Sequence, residues 1–401
     1  MKRGIVMNKR LQLWIDYLMK QRYLVAMKEG ILSSYSFLLV GSLFLIPTLF
    51  SCFQEYAVYF KKLYIVSVGL FSIYVTFSMG EALGKSYEMN ERESGLFSVF
   101  VYLISLFSLK SLSLNILALG LFIGIISSIL TVETLRLTSR LKSWNPLPEI
   151  IPSAVSQAFV SLIPFLILCI VSGIILPQFH FIDFIVEGIY QIILLLDNLV
   201  VLLIVVFLTT YFWSVGIHGA TVVSMILRPF WICMIQMNGL ALIQGYQTFF
   251  ISPEPLLQWF VWIGGSGTTI GLSFVFRFLM KSNHNKDIGK TSWISSLVNI
   301  NEPIIFGTPI VSNKFMTIPF IVIPMLCATI TWFAFSSGWL HPICMMGVWT
   351  LPSPIGAFIV TGGDFRALLL NLGLIILSVV CYYPFAKIYD TYLLKEEQDM
   401  L

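Results

Sequence analysis

The sequence predicts an all-α polytopic membrane protein of about ten transmembrane helices, and three observations predict it. Of its 401 residues 57% are hydrophobic and only 11% charged, where an ordinary soluble domain carries about 25% charged residues. Apolar runs near the length needed to cross a bilayer, about 20 residues, recur from Ile31 to Tyr383. Connections mixing acid and base separate those runs. A chain so composed cannot cover a water-facing surface, so the lipid bilayer is its solvent. It offers no basic face for a nucleic acid either, because its Lys and Arg residues are dispersed.

Seven of the 24 basic residues (Lys2, Arg3, Lys9, Arg10, Lys20, Arg22 and Lys28) precede the first apolar run. Lys and Arg gather at cytoplasmic membrane ends, so a cytoplasmic N-terminus is expected. The basic stretch and the run behind it are too long for a signal peptide, and no small-residue cleavage site follows. The segment is therefore expected to be retained. Spanning candidates come next: Ile31–Phe53, Leu63–Met79, Leu96–Leu109, Leu112–Val132, Ala154–Leu176, Leu199–Ile217, Trp259–Met280, Thr317–Ser336 and Ala367–Tyr383. Weaker, polar-interrupted stretches fill Ala220–Gly245 and Pro342–Val360.

The connections Glu81–Glu93 and Arg136–Lys142 fit the cytoplasmic side, while Lys61 and Lys62 fall outside and weaken the bias without reversing it. Lys281–Lys290 is again basic and reads as cytoplasmic. Strict alternation does not put it there, because Ala220–Gly245 reads as a crossing or as a segment that doubles back. Two further stretches, Pro148–Pro152 leading into Ser153–Phe159 and Phe181–Leu196, read as amphipathic helices on the membrane surface or as simple connections. The six cysteines stand singly with no CxxC pair, which supports neither a metal site nor a disulfide framework. Buried apolar filler is their expected role.

Polar residues are uneven along the chain. The first half keeps its charges at the ends of spans, whereas the second carries His218, Asn238, Glu302 and Asp364 within or beside apolar sequence. Packing and oligomer contacts are expected in the first half, and substrate chemistry in the second. The chemistry centres on Asn299–Pro309, NINEPIIFGTP. A charge at membrane depth costs roughly 3 kcal/mol on insertion scales, so Glu302 is a functional-site candidate. Pro303 and Pro309 are expected to interrupt helical hydrogen bonding on either side of Ile304–Gly307. Broken backbone survives at that depth only when buried in protein or lining a cavity, the setting of a midplane transport site. An ordinary solvated Glu in a cytoplasmic loop is the other reading of these residues.

Trp213–Gly219, WSVGIHG, closes an apolar run. Its glycines allow close backbone approach and are expected to leave both imidazole nitrogens of His218 open. Trp213 adds a broad aromatic face with a polar edge. Sugars have apolar C–H faces and a rim of hydroxyls, so aromatics with His, Asn and Glu suit them. A helix-packing histidine is the competing reading. Gly264–Thr269, GGSGTT, lacks the GxxxxGK[ST] pattern and the strand context of a nucleotide loop, and small residues in a membrane run favour close packing or a kink. Asp364 in Thr361–Arg366, TGGDFR, is expected to cap the last helix or to pair with Arg366. Pro352 and Pro354 mark a broken stretch that brings Trp349 toward a cavity. An intramembrane enzyme using His218 and Glu302 stays open as a second class, and a structural or sensory membrane protein as a third. No HExxH helix or GxSxG elbow supports the enzyme, and His180, His284 and His341 stand alone.

Together these stretches resemble the membrane-embedded IIC component of bacterial phosphotransferase-system sugar permeases, of the lactose/cellobiose/diacetylchitobiose type. The likeness is carried by NINEPIIFGTPIVSN (Asn299–Asn313), WSVGIHG, IGGSGTT (Ile263–Thr269), VWTLPSP (Val348–Pro354) and TGGD (Thr361–Asp364). QRYLVAMKEG (Gln21–Gly30), Val40–Leu45 and YYPFAKIYD (Tyr382–Asp390) also fit, so the likeness runs from about Leu13 to Asp390.

The resemblance implies a homodimer of ten-helix subunits in the cell membrane. Residues 1–198 would form an N-terminal bundle with the dimer contact, 199–390 a substrate domain with two re-entrant hairpins, and 391–401 a cytoplasmic tail. It implies a disaccharide substrate phosphorylated by a separate IIB protein, itself charged through IIA, HPr and enzyme I, with no cofactor or metal. Carried over residue by residue, Glu302, His218 and Asn301 would hydrogen-bond sugar hydroxyls. Trp213 and Trp349 would sit against the sugar ring, with Asn238 near the site. Two departures, Lys314 after Asn313 and the small pair Ser214–Val215, bear on which sugar is carried.

Overall fold

The computed structural model describes residues 9–109, 114–139, 153–246, 249–308, 310–311, 313 and 315–399, and among them every regular element is helical. Lys2, Arg3, Pro148–Pro152, Pro309 and Lys314 lie outside the described residues. Among the described residues five helices are long and apolar enough to cross a membrane: Cys52–Ser86, Ile116–Thr138, Gly219–Gln244, Thr317–Ser336 and Phe365–Asp399. Two bent pairs, Arg22–Ser33 with Tyr35–Leu49 (41°) and Leu162–Gln178 with Phe181–Leu196 (74°), raise the number to as many as seven if each pair is one span. Glu91–Phe107 and Leu199–Ser214 are helical too but stop at 17 and 16 residues. The chain is a multi-pass helical membrane protein.

Three stretches depart from, or decide between, the sequence expectations. Phe181–Leu196 is a helix and not a simple connection; His180, at a φ of 51°, turns the chain into it. Ala220–Gly245 belongs to one uninterrupted 26-residue helix, Gly219–Gln244, which runs through Pro229 and closes on Gly245 in the left-handed conformation. The polar residues that thin its hydropathy, Gln236 and Asn238, are both buried. Trp259–Met280, in contrast, is not a continuous span. Helical turns over Glu254–Val261 end at Trp262, a non-helical loop follows to Thr269, and a helix resumes over Ile270–Phe278. Gly264, Gly265 and Gly267 hold φ of +75°, +101° and +88° there. Only glycine enters that region without steric cost.

The structure has two compact units. One comprises Asp16–Phe44 and Glu55–Ile193, and the helix Ala57–Ser86 is its centre. A Cβ on Gly80 would lie 2.6 Å from Ser98 Oγ, one on Gly84 2.5 Å from Ser94 Oγ, and one on Gly124 2.0 Å from Thr76 Oγ1. Small residues thus bring the helix backbones together, the means by which membrane helices associate where lipid removes the hydrophobic driving force. Ser128 donates its hydroxyl across to the Thr76 carbonyl at 2.9 Å. Glu133 accepts from the hydroxyls of Tyr23 and Tyr87, each at 2.7 Å, and pairs with Arg136, so its carboxylate is fully engaged.

The other unit is built chiefly from Leu194–Leu401, with Leu45–Gln54. Its longest helix, Phe365–Asp399, buries Ala367, Asn371, Leu374, Ser378, Tyr382 and Ala386 on one face and exposes Leu369, Leu372, Ile376 and Val380 on another. The indole of Trp259, fully buried, lies where a Cβ on Gly356 would come within 2.1 Å of its ring. The chain through Pro342–Val360 is a non-helical return and then the short helix Ser353–Val360, tied together by the Cys344 N–H donating to the Val360 carbonyl at 3.2 Å.

Asp364 does both things foreseen for it. It accepts from the backbone N–H of Arg366 at 2.9 Å and pairs with that guanidinium, and it also takes the N–H of His341 at 2.8 Å. Burial pushes its carboxyl pKa up, but the Arg366 guanidinium and these N–H groups more than offset that and hold it below the usual carboxylate range.

Two outcomes follow for thermal unfolding of the purified protein in detergent. Gly356→Ala should cost about 1–3 kcal/mol by overpacking against Trp259. Gly373→Ala, in the last helix with nothing within 4 Å of the new carbon, should gain about 0.5–1 kcal/mol; a reversed order would refute this packing. Because the folded pKa of Asp364 lies below its unfolded value of about 3.9, its contribution is complete above that pH and lost as pH falls through the folded pKa. Asp364→Asn should flatten that acid slope, measured from about pH 6 down to about pH 3.

Candidate functional site

Three non-helical stretches of one unit meet at Asn299. Its φ of 63° is a left-handed conformation that asparagine tolerates better than most residues. The Oδ1 atom accepts from the Gly264 N–H at 3.0 Å and from the Ser353 hydroxyl at 2.7 Å, while Nδ2 donates to the carbonyls of Trp349 at 3.1 Å and Leu351 at 2.9 Å. Asn301, two residues on, donates its amide to the Ser266 carbonyl at 2.7 Å, and its Oδ1 makes no hydrogen bond among the described residues. A Cβ on Gly265 would strike the Asn301 side chain at 2.3 Å, so the glycine is what permits the approach.

Past Asn301 the chain forms a short helix, Glu302–Gly307, with Pro303 in its first turn. Proline there is tolerated, because an N–H at that position has no helical partner to lose. Pro303 therefore starts this helix and does not break it, which corrects the sequence expectation. Glu302 is exposed, and so is Phe306, which is 65% exposed. A spacing of four sets the two on one helix face.

The Phe306 ring meets the Trp213 indole edge-on, centroids 6.4 Å apart, and the imidazole of His218 lies 4.3 Å from the same indole. Gly216, in the turn between Trp213 and His218, faces Val311 beyond the short helix. His218 and the short helix that carries Glu302, far apart in the sequence, are thus linked through the rings of Trp213 and Phe306. Trp213 is itself buried, at 4% exposure, under those two rings, whereas Trp349 is 52% exposed.

His218 begins the helix Gly219–Gln244, and its Nδ1 accepts from the backbone N–H of Thr221 at 3.2 Å, with the Thr221 hydroxyl at 2.8 Å. The expectation that both ring nitrogens are open is therefore corrected: Nδ1 is the helix cap. In the neutral ring that bond fixes the proton on Nε2, which is then the donor of an exposed side chain. Gly219 follows because a Cβ would sit 1.9 Å from the Thr209 carbonyl oxygen.

Asn238 lies apart from this group. Its Oδ1 accepts from the Phe250 N–H at 2.7 Å, and Nδ2 donates to the carbonyls of Phe250 and Ile343, both at 2.8 Å. Sequence reasoning missed Phe306 as an exposed aromatic and Asn299 as the tie. The i, i+4 relation of Phe306 to Glu302 was the available signal for the first. Among the described residues no group of three or more His, Cys, Asp or Glu is placed to hold a metal ion.

Exposed Glu302, His218, Phe306 and Trp349 thus belong to one unit of a multi-pass helical membrane protein, with His218 and Phe306 both against the Trp213 indole. The chain belongs to the family described as "Phosphotransferase system, EIIC", whose model matches residues 28–324. It is similar to the cellobiose-specific EIIC component of Geobacillus stearothermophilus, 29% identical over 94% of this chain and 92% of that one. The lichenan permease IIC component of Bacillus subtilis (strain 168) is 28% identical over 95% and 92%. Among solved structures it is similar to the transporter ChbC, the IIC component of the N,N'-diacetylchitobiose-specific system. That match has a TM-score of 0.87 and 26% identity, covering 97% of this chain and 98% of that one.

His218→Ala and His218→Asn should test the capping role of the imidazole. The alanine variant loses the cap and about 1 kcal/mol, while asparagine, itself a good cap, should keep most of that stability. Equal unfolding temperatures for the two variants would remove the capping role.

Proposed function

We propose that this chain is a sugar-translocating IIC subunit that binds a β-linked disaccharide of cellobiose, lactose or diacetylchitobiose type and presents it to IIB at the cytoplasmic face. The single observation that carries the reading is the exposed Glu302 carboxylate on one helix face with Phe306, joined through Trp213 to the capped His218. Glu302 accepts from sugar hydroxyls through charge-assisted bonds, His218 Nε2 donates to them, and the free Oδ1 of Asn301 accepts another. Trp349 and Phe306 supply the aromatic surface for the apolar ring faces, and buried Trp213 holds the imidazole in place. Asn238 acts at one remove, by fixing the backbone of Phe250 and Ile343.

In this reading residues 1–198 are the bundle that dimerises, 199–390 the transport domain, and 391–401 a cytoplasmic tail. The protein works as a homodimer of about ten spans per subunit, with its N-terminus inside. The two re-entrant hairpins are the segment broken at Gly264–Gly267 and the return Pro342–Val360. IIB, charged in turn by enzyme I, HPr and IIA, performs the phosphoryl transfer, so this chain itself holds the sugar and catalyses no hydrolysis.

Uptake of labelled cellobiose, lactose and diacetylchitobiose by cells with and without the protein tests the proposal. Accumulation of at least one should require both the protein and IIB, and turnover of sugar by purified protein without IIB would point to an enzyme instead. Glu302→Gln should weaken sugar binding by roughly tenfold or more, since it removes the charged acceptor, with the unfolding temperature unchanged. Wild-type binding by that variant would dismiss Glu302.

A further inference from the structure

Asn299 is not among the residues assigned above to the sugar, yet its side chain uses the full capacity of an amide, two hydrogen bonds accepted and two donated. The four partners lie on two other segments. Gly264 belongs to the glycine loop, and Trp349, Leu351 and Ser353 belong to the turn that leads into the helix Ser353–Val360. In sequence, Asn299 is three residues before Glu302. One side chain therefore fixes the backbone of Trp349 directly, while Glu302 follows from its own main chain.

We infer that Asn299 is the positioning residue of the site, setting the distance between the Glu302 carboxylate and the Trp349 ring. This inference rests on the function proposed above and adds the element that holds the binding geometry. The residue type follows from the bonds. A left-handed φ favours Asn, Asp or Gly, and only Asn among these can donate two bonds to carbonyls while accepting two. Asp would keep both accepted bonds and turn its second oxygen, a bare acceptor, toward two carbonyl oxygens. Gly would keep the backbone and leave the groups on those two segments without their partner. The arrangement acts on sugar affinity through geometry: a clamp whose two jaws shift by about an ångström loses much of its grip although both jaws are intact.

Equilibrium binding of the sugar found in the uptake assay, by the purified full-length protein, reads this out in a double-mutant cycle. Asn299→Asp should lower affinity at least about tenfold, and Ser353→Ala, which removes one of the four bonds and leaves Asn299 itself in place, by a few-fold. In a Trp349→Ala background the Asn299→Asp effect should shrink to a few-fold or less, because the distance it controls no longer ends on a ring. Should Asn299→Asp fail to fold, Ser353→Ala paired with Trp349→Ala carries the same cycle. An Asn299→Asp or Ser353→Ala effect that is equally large with and without Trp349 would mark a general structural role and overturn the inference, as would unchanged affinity in both. Failure of the functional reading is separate: there the wild-type protein binds none of the three sugars, or Glu302→Gln binds as well as wild type.

Discussion

Every main-chain N–H and C=O taken out of a helix in this protein must find another partner, because lipid supplies none. Leaving one buried and unpaired costs about 1–3 kcal/mol. In the unit that carries the candidate site, side-chain amides and carboxylates meet that demand. Asp197 takes the N–H groups of Ile251 and Ser252. Asp390 takes those of Lys281 and Ser282 along with the Ser282 hydroxyl and the Asn285 amide. Asn238, Asn299, Asn301, Asn371 and Asp364 do the same for the broken stretches around them. A buried carboxylate is costly in isolation, by several kcal/mol even after relaxation. Three or four charge-assisted bonds, each stronger than a neutral one, offset it.

The two units solve the same solvent problem in different ways. In the one centred on Ala57–Ser86, glycines and serines let helices approach until hydroxyls reach across to carbonyls, and the backbone stays helical. In the other, the backbone is released from helices at Trp262–Thr269, at Asn299–Asn301 and between Leu340 and Pro352, then stapled by side chains. Continuous helix presents only its side chains to a ligand. Released backbone lets the segments that carry exposed Glu302 and exposed Trp349, far apart in sequence, meet at Asn299.

Much of this was legible beforehand, and the failures have physical reasons. Hydropathy found the long apolar helices because lipid contact is a composition effect, and it pointed to Glu302 because a carboxylate in such sequence is out of place. It misread Trp259–Met280, since an apolar sum is blind to φ; GGSG was the visible warning, noted as a kink but not as a break of the span. It undervalued Gly219–Gln244 because Gln236 and Asn238 look solvent-seeking until burial against other segments is known. His218 was read as a free imidazole, although a polar residue just before an apolar helical run is also where a cap belongs. Asn299 could not be singled out at all. Its four partners lie 35 to 54 residues away in the chain, and nothing local marks such a tie.

The cap on His218 has a consequence for what the proposed site would recognise. With Nδ1 held as an acceptor by the Thr221 N–H, the neutral imidazole offers the ligand a donor only, and an ionised Glu302 offers an acceptor only. Hydroxyl groups of one ligand suit both, since a hydroxyl can donate to a carboxylate and accept from Nε2. An ammonium group would leave Nε2 without an acceptor, and a carboxylate would be repelled by Glu302. The discrimination gained is large, because a site built to hydrogen-bond a hydroxyl rejects analogues that cannot complete the pair far more strongly than an apolar pocket rejects a change of size. In the proposed site, preference for a polyol over a charged solute thus rests on one helix-capping bond, made where Gly216 turns the backbone at a φ of +90° and Gly219 lets the helix start pass the Thr209 carbonyl.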